Sequence, residues 1–242
     1  MKVCITGATG ATGIKVVEQL LERGVSVKAV VRSAEKMHAL SQTYSQLEII
    51  TTGISEMGAL EMQKLVSDCN AVVSCLGHNL SLKGIFGKPR RLVTESMQKF
   101  SEAVLKLKSD KKIKFILMNT AGNSNRDLKE KSTRGHSIVI GLLRVLLPPQ
   151  ADNEQAADYL RRKIGQDHPI IEWIAVRPDS LINQDTVTGY SIHQSPTRDP
   201  IFNPGKTSRI NVAHFMAELL TSGTLWNQWK GQMPVLYNNE DQ

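Results

Sequence analysis

Apolar positions in this chain come in short runs that alternate with stretches of helical spacing. The run at 3–6 reads as a strand; Ile14, Val17, Leu20 and Leu21 then fall on one helical face, Gly24 stops that helix, and 25–31 is a second strand. The alternation continues. A strand at 47–50 precedes a helix at 57–67, a buried strand at 71–77 precedes a helix at about 92–107, and a strand at 113–118 follows. A helix over about 152–166, with Asp152 or Asn153 as its N-cap, leads to a strand at 170–176 that ends in Arg177-Pro178. Near the end, 208–210 reads as a short strand, Asn211 as the cap of a helix through Val212, Phe215, Met216, Leu219 and Leu220, and 233–237 as a last edge strand. Strand and helix in this order predict an α/β fold: a Rossmann-like, doubly wound parallel sheet with helices on both faces, over one domain spanning 1–242.

Three stretches break the alternation. Residues 81–91 are rich in glycine and lysine and read as a loop. Residues 138–147 form an apolar helix interrupted by Arg144 and stopped by Pro148-Pro149, too short to span a bilayer; it could cap an active site or make a homodimer contact. Residues 178–207 are proline-rich with little periodicity and read as a small substrate-covering lobe.

Charge narrows the choice of partners. Thirty Lys and Arg against 23 Asp and Glu give a net +7, which suits an anionic ligand. Nucleic acid would also suit it, but aromatics are only 5% and no basic run is interleaved with them, so a nucleic-acid partner is not expected. The densest basic stretch, 106–112, reads as a solvated helix end. Cys4, Cys69 and Cys75 lack metal-ligand spacing and read as buried, reduced thiols. With no long apolar run and no signal peptide, the expected location is cytoplasmic, away from the membrane.

The chemistry is concentrated after the first strand, in Gly7-Ala8-Thr9-Gly10-Ala11-Thr12-Gly13. In a strand-to-helix turn, Gly7 permits the tight exit, Gly10 lets a pyrophosphate approach the backbone, and Gly13 lets the helix pack close; the helix N-terminus offers free N–H groups. At the end of the second strand, Arg32 stands where an NAD-binding unit carries a carboxylate for the ribose 2′-hydroxyl. A guanidinium there can pair with a 2′-phosphate and Lys36 can add a point charge, which favours NADP(H). Gly53 follows the third strand, where a loop can touch the adenine. Gly77 ends the fourth strand and permits close backbone approach. His78, just beyond, could act as an acid or base or be an ordinary loop residue. Asn119 and Thr120 end the fifth strand, where ligands of such sheets bind.

Together these residues resemble the short-chain dehydrogenase/reductase superfamily, in its atypical NAD(P)-binding branch that includes NmrA-like sensors and biliverdin IXβ reductase-like flavin reductases. The resemblance covers most of the chain. Thr6 to Gly13, with Thr9, Ala11 and Thr12 between the glycines, matches the family's phosphate loop. Val31-Arg32 matches its NADP-selecting strand end, and Ser74 to Gly77, including Leu76, the strand end that flanks the cofactor. Thr120 sits where the family has an active-site Ser or Thr, and Pro178 where its proline lies beside the nicotinamide. Most members add a Tyr-x-x-x-Lys pair that passes a proton. Tyr159 and Lys163 have that spacing, but counting back from Arg177-Pro178 puts the family's lysine near Gln155 and its tyrosine near Ala151, which would leave Tyr159 two turns further along, packed beside Leu160. The resemblance implies an NADP(H)-dependent reductase of a small molecule (a flavin, quinone or carbonyl compound) or, alternatively, a non-catalytic NADP(H) sensor or scaffold of NmrA type.

Overall fold

In the computed structural model the described residues are 1–78, 87, 89–108, 111–128, 130 and 148–239. The apolar stretch 138–147 lies outside them, as does most of the loop at 81–91. Strands β1 (Lys2–Thr6), β2 (Ser26–Val31), β3 (Leu47–Thr51), β4 (Ala71–Ser74), β5 (Ile113–Met118) and β6 (Ile171–Pro178) are interleaved with helices α1 (Gly13–Glu22), α2 (His38–Thr43), α3 (Ala59–Val66), α4 (Leu92–Lys106) and α5 (Pro148–Tyr159). The C-terminal part adds β7 (Ser180–Ile182), β8 (Tyr190–His193), β9 (Lys206–Ser208), α6 (Arg209–Thr221), α7 (Gly223–Trp229) and β10 (Val235–Asn238).

One eight-stranded sheet has the order β3-β2-β1-β4-β5-β6-β10-β8, parallel except for β8. Successive strands step outward in one direction from β1 and in the other from β4, so the strand order reverses between these two neighbours. Their carboxyl ends are level: Thr6 is opposite Val30 and Ser74, Ser74 is opposite Leu117, and Met118 is opposite Val176.

Strand alternation divides the core into two layers. Val3, Ile5, Ala29 and Val73 face α1, α6 and α7 through Val17, Leu20, Phe215, Leu219 and Trp226, while Cys4, Val72, Phe115 and Trp173 face α3, α4 and α5 through Leu65, Met97, Phe100 and Ala156. Helix α1 stops as expected. Gly24 takes φ +72°, its N–H reaches the Leu21 carbonyl at 2.9 Å, and the Val25 N–H reaches the Leu20 carbonyl at 3.0 Å, a Schellman ending. Among the described residues no helix is long and apolar enough to cross a membrane.

Three expectations about elements are corrected. The helix expected from about 152 is already present at Pro148 and passes into a π turn, Leu160–Ile164, so Asp152 and Asn153 lie inside it and do not cap it. Prolines suit a first helical turn, where their missing N–H would have no acceptor. The cap of α6 is Ser208, whose Oγ accepts the Asn211 N–H at 3.2 Å; Asn211 itself is buried and donates to Thr188 Oγ1 and Asn238 Oδ1. Strand β10 is internal, between β6 and β8, and β8 forms the edge.

Candidate functional site

The carboxyl end of β1 runs directly into the glycine loop. Gly7 takes φ +72°, and a Cβ there would fall on the Cys75 carbonyl and 2.8 Å from the Leu76 nitrogen, so the loop is drawn tightly against the end of β4. The turn closes with the Gly10 N–H donating to the Gly7 carbonyl at 3.0 Å. A Cβ on Gly13 would lie 2.9 Å from the Gly7 carbonyl carbon, so the first turn of α1 also requires glycine. Thr12, at the N-cap, is buried, yet no side chain caps α1 and its first turn holds no acid. The positive end of this helix, which follows the loop from β1, therefore has neither a capping side chain nor an acid in its first turn. Thr6 Oγ1 and Ser74 Oγ, opposite each other at the strand ends, are buried hydroxyls with no hydrogen-bond partner among the described residues. A Cβ-free cradle, an uncapped helix end and unpaired hydroxyls at the reversal of strand order fit the pyrophosphate of a dinucleotide.

The other expected cofactor positions lie at or after the carboxyl ends of β2, β3, β4 and β6. Arg32 follows the last residue of β2 and is exposed, and Lys36 is exposed in the helical turn Glu35–Met37. Gly53 lies in the loop after β3, which is anchored at both ends. Its Thr52 N–H reaches the Val31 carbonyl at 2.8 Å, and Lys99 of α4 holds the carbonyls of Ile54, Ser55 and Met57 at 3.2, 2.8 and 3.0 Å. Leu76 and Gly77 continue from β4 beside Gly7. Pro178 ends β6, and its carbonyl accepts the Ala121 N–H at 2.9 Å, tying the end of β6 to the loop after β5.

Thr120 sits in that loop, half-buried, with its Oγ1 accepting the Gly122 N–H at 3.3 Å. Its neighbour Asn119 is buried and fixes the turn: Oδ1 accepts the N–H of Thr120 at 2.9 Å and the side-chain amide of Asn123 at 3.2 Å, while Nδ2 donates to the Asn153 carbonyl at 2.8 Å. The start of α5 is thereby held at the carboxyl end of β5. Tyr159 lies six residues beyond Asn153, about 9 Å along the helix axis, packed into the core layer with α3 and α4. Lys163 is exposed in the π turn beyond it. The structure brings Thr120 to the strand ends with the glycine loop and does not bring Tyr159 and Lys163 there.

Two arrangements near this edge have no local signature. The side chains of His78 and Asp152 are 4% and 0% exposed and join through Nε2 and Oδ2 at 2.9 Å. The same carboxylate accepts the N–H of Val93 at 2.8 Å, the N–H of Thr94 at 3.0 Å and the Thr94 hydroxyl at 2.6 Å, so a residue of α5 caps α4. Arg177, fully buried, donates Nε to the Met233 carbonyl at 2.6 Å and Nη1 to the Asn123 carbonyl at 2.8 Å, pairs with Glu130 at 2.7 Å, and reaches the Gln194 carbonyl at 3.1 Å. It joins β6, the loop after β5, β8's end and the approach to β10. The thiol of Cys75, next to Leu76, is pushed up to about 12 by burial. It packs against the core layer that faces α1 and α6.

Comparison with known proteins agrees with this geometry. The profile of the NAD(P)H-binding family matches residues 7–223. A stretch of 74 residues is 39% identical to an uncharacterized chloroplastic protein of Arabidopsis thaliana, covering 31% of this chain and 26% of that protein. Similar solved structures include an anaerobilin reductase from Escherichia coli O157:H7 (TM-score 0.68, 16% identity, 100% of this chain and 99% of that one). A candidate NADH-flavin reductase from Streptococcus pneumoniae is also similar (0.69, 17%, 99% and 100%). So is a short-chain dehydrogenase/reductase from Veillonella parvula solved with NADP (0.67, 12%, 98% and 94%). At these identities the solved structures speak for the Rossmann-like fold, and the family match over most of the chain speaks for its binding class. This chain is a member of the NAD(P)H-binding family, with a Rossmann-like fold.

Proposed function

We propose that the chain is an NADPH-dependent reductase of a small molecule, a flavin, quinone or carbonyl compound. The observation that carries the reading is the glycine cradle with the uncapped start of α1, placed where the strand order reverses. Gly7, Thr9, Gly10, Ala11, Thr12 and Gly13 would hold the pyrophosphate. Arg32 and Lys36 would pair with a 2′-phosphate, and the Gly53 loop, pinned by Lys99, would meet the adenine. Leu76, Gly77 and Pro178 would flank the nicotinamide. When bound, the nucleotide supplies a hydride. Thr120 would orient the substrate by donating its hydroxyl, whose oxygen already accepts the Gly122 N–H. Residues 178–207, which contribute β7, β8 and β9, would cover the substrate. Three free thiols suit the cytoplasm or another reducing compartment.

A second reading, an NADP(H) sensor of NmrA type, is favoured by one observation: Tyr159 ends α5, packed against the core layer, and Lys163 is exposed in the π turn beyond it. The test separates the two. Nicotinamide fluorescence is followed on titration with NADPH and then NADH, in wild type and in Arg32→Asp, and NADPH oxidation is followed with flavin mononucleotide or menadione as acceptor. Tight NADPH binding weakened by Arg32→Asp, with turnover, supports the reductase; binding without turnover supports the sensor; no binding of either nucleotide refutes both.

A further inference from the structure

Resting on the reductase reading, we propose that His78 is the proton donor of this site, oriented by Asp152, and that this pair takes the place that Tyr159 and Lys163 do not occupy.

The hydrogen bonds orient the pair. Asp152 Oδ2 meets the Val93 N–H and His78 Nε2, and its Oδ1 meets the Thr94 N–H and hydroxyl. In the proposed arrangement the carboxylate, set at the start of α4, accepts all four bonds; His78 donates to it through Nε2, and Nδ1 is the nitrogen that passes the proton. Asp152 is a positioning residue in this arrangement.

The placement suits the reaction. His78 follows Gly77 directly, one residue beyond the strand end that lies against Gly7. Asp152 adjoins Asn153, whose carbonyl is held by Asn119 beside Thr120, and β4 and β5 are neighbours in the sheet. The imidazole therefore leaves the sheet from the strand next to that of Thr120. Hydride addition to a quinone or carbonyl leaves an oxyanion that must gain one proton. The Nδ1–H bond of the imidazolium breaks, the proton bonds to that oxygen, and neutral imidazole is left, to be protonated again from water. Among the described residues the ionisable group hydrogen-bonded to the ring is Asp152. Nearby, Arg90 and Arg91 before α4 and Glu95 within it are exposed, and Glu154 and Asp158 of α5 pair with Arg126.

A mere cap for α4 would need only the bonds to Val93 and Thr94, and the experiment is chosen to tell the two roles apart. Nitrogen NMR of histidine-labelled protein is recorded across pH without nucleotide and then saturated with NADPH, with binding followed separately by nicotinamide fluorescence. The expected result is that His78 Nε2 keeps its proton throughout while Nδ1 titrates, and that NADPH moves the Nδ1 resonance. In Asp152→Asn the fixed tautomer should be lost. His78→Gln retains an N–H for Asp152, so it should fold and bind NADPH as wild type does while reduction of menadione falls about 10²-fold or more. Titration at Nε2, an Nδ1 signal indifferent to bound NADPH, or full turnover in His78→Gln would overturn the proposal while leaving nucleotide binding intact. Failure of the wild type to bind NADPH would instead remove the reductase reading and this proposal with it.

Discussion

Replacing Gly7 and, in a second variant, Gly24 by alanine separates two demands on the glycine loop. Both residues have φ +72°, so each substitution forces an alanine into the left-handed region at a cost of about 1–2 kcal/mol. Around Gly24 nothing lies within 4 Å of the new Cβ, and the backbone cost is the whole effect. Around Gly7 the Cβ falls on the Cys75 carbonyl and 2.8 Å from the Leu76 nitrogen, both backbone atoms that cannot rotate aside. Nor can β4 retreat freely: the Cys75 N–H donates to the Thr6 carbonyl at 2.9 Å, and four register pairs join β1 to β4. Relief of the overlap therefore costs a further 1–3 kcal/mol or so, as overpacking does in a closed core. Gly7→Ala should destabilise by about 2–5 kcal/mol and Gly24→Ala by about 1–2 kcal/mol. Urea unfolding followed by far-UV circular dichroism, with a common slope, measures the difference. Nicotinamide fluorescence should show weakened NADPH binding for Gly7→Ala alone. If the two variants unfold at the same urea concentration, the close approach of loop and strand is not tight, and the cradle argument loses its geometric basis.

Two further substitutions test charges away from the loop. Arg177→Met removes the partner of Glu130 and the donor to three carbonyls, and leaving that carboxylate buried should cost about 3–5 kcal/mol in urea unfolding; adding Glu130→Gln to it should recover part of the loss, and a single variant as stable as wild type would refute the linking role. Burial alone would raise the carboxyl of Asp68, but its hydrogen bonds to Lys2 and Lys28 and their charges outweigh that and hold it at about 2. A carboxyl lowered on folding stabilises above its unfolded value near 4 and loses that contribution as pH falls through its folded value. The unfolding free energy from urea titration should therefore drop between about pH 4 and pH 2, by less than about 1 kcal/mol because the group is 47% exposed; Asp68→Asn should flatten that part of the profile, and an unchanged profile would show that the two lysines do not stabilise the fold through it.

What the sequence made legible was what its own elements encode. Strands β1 to β6, helices α1, α3 and α4 and the glycine loop follow from short apolar runs, from helical spacing and from glycines whose missing Cβ has a direct geometric consequence. The readings that needed correction concern polar residues whose partners lie far along the chain. Asp152 has the composition of an N-cap and does cap a helix, but that helix is α4, 58 residues earlier. Asn211 likewise looks like a cap, yet its side chain is directed to Asn238 and Thr188, and the capping falls to Ser208, three residues before it. Strand β10 was expected at an edge because β8, four residues among turns in a proline-rich stretch, gives no run long enough to announce a neighbour. His78 shows the limit most directly. In isolation it is one loop histidine; only the fold brings the carboxylate of Asp152, 74 residues later, to within 2.9 Å of its Nε2. Local pattern reports the partners a residue has within its own element, whereas the direction of a buried polar group is decided by the topology that brings a distant element to it.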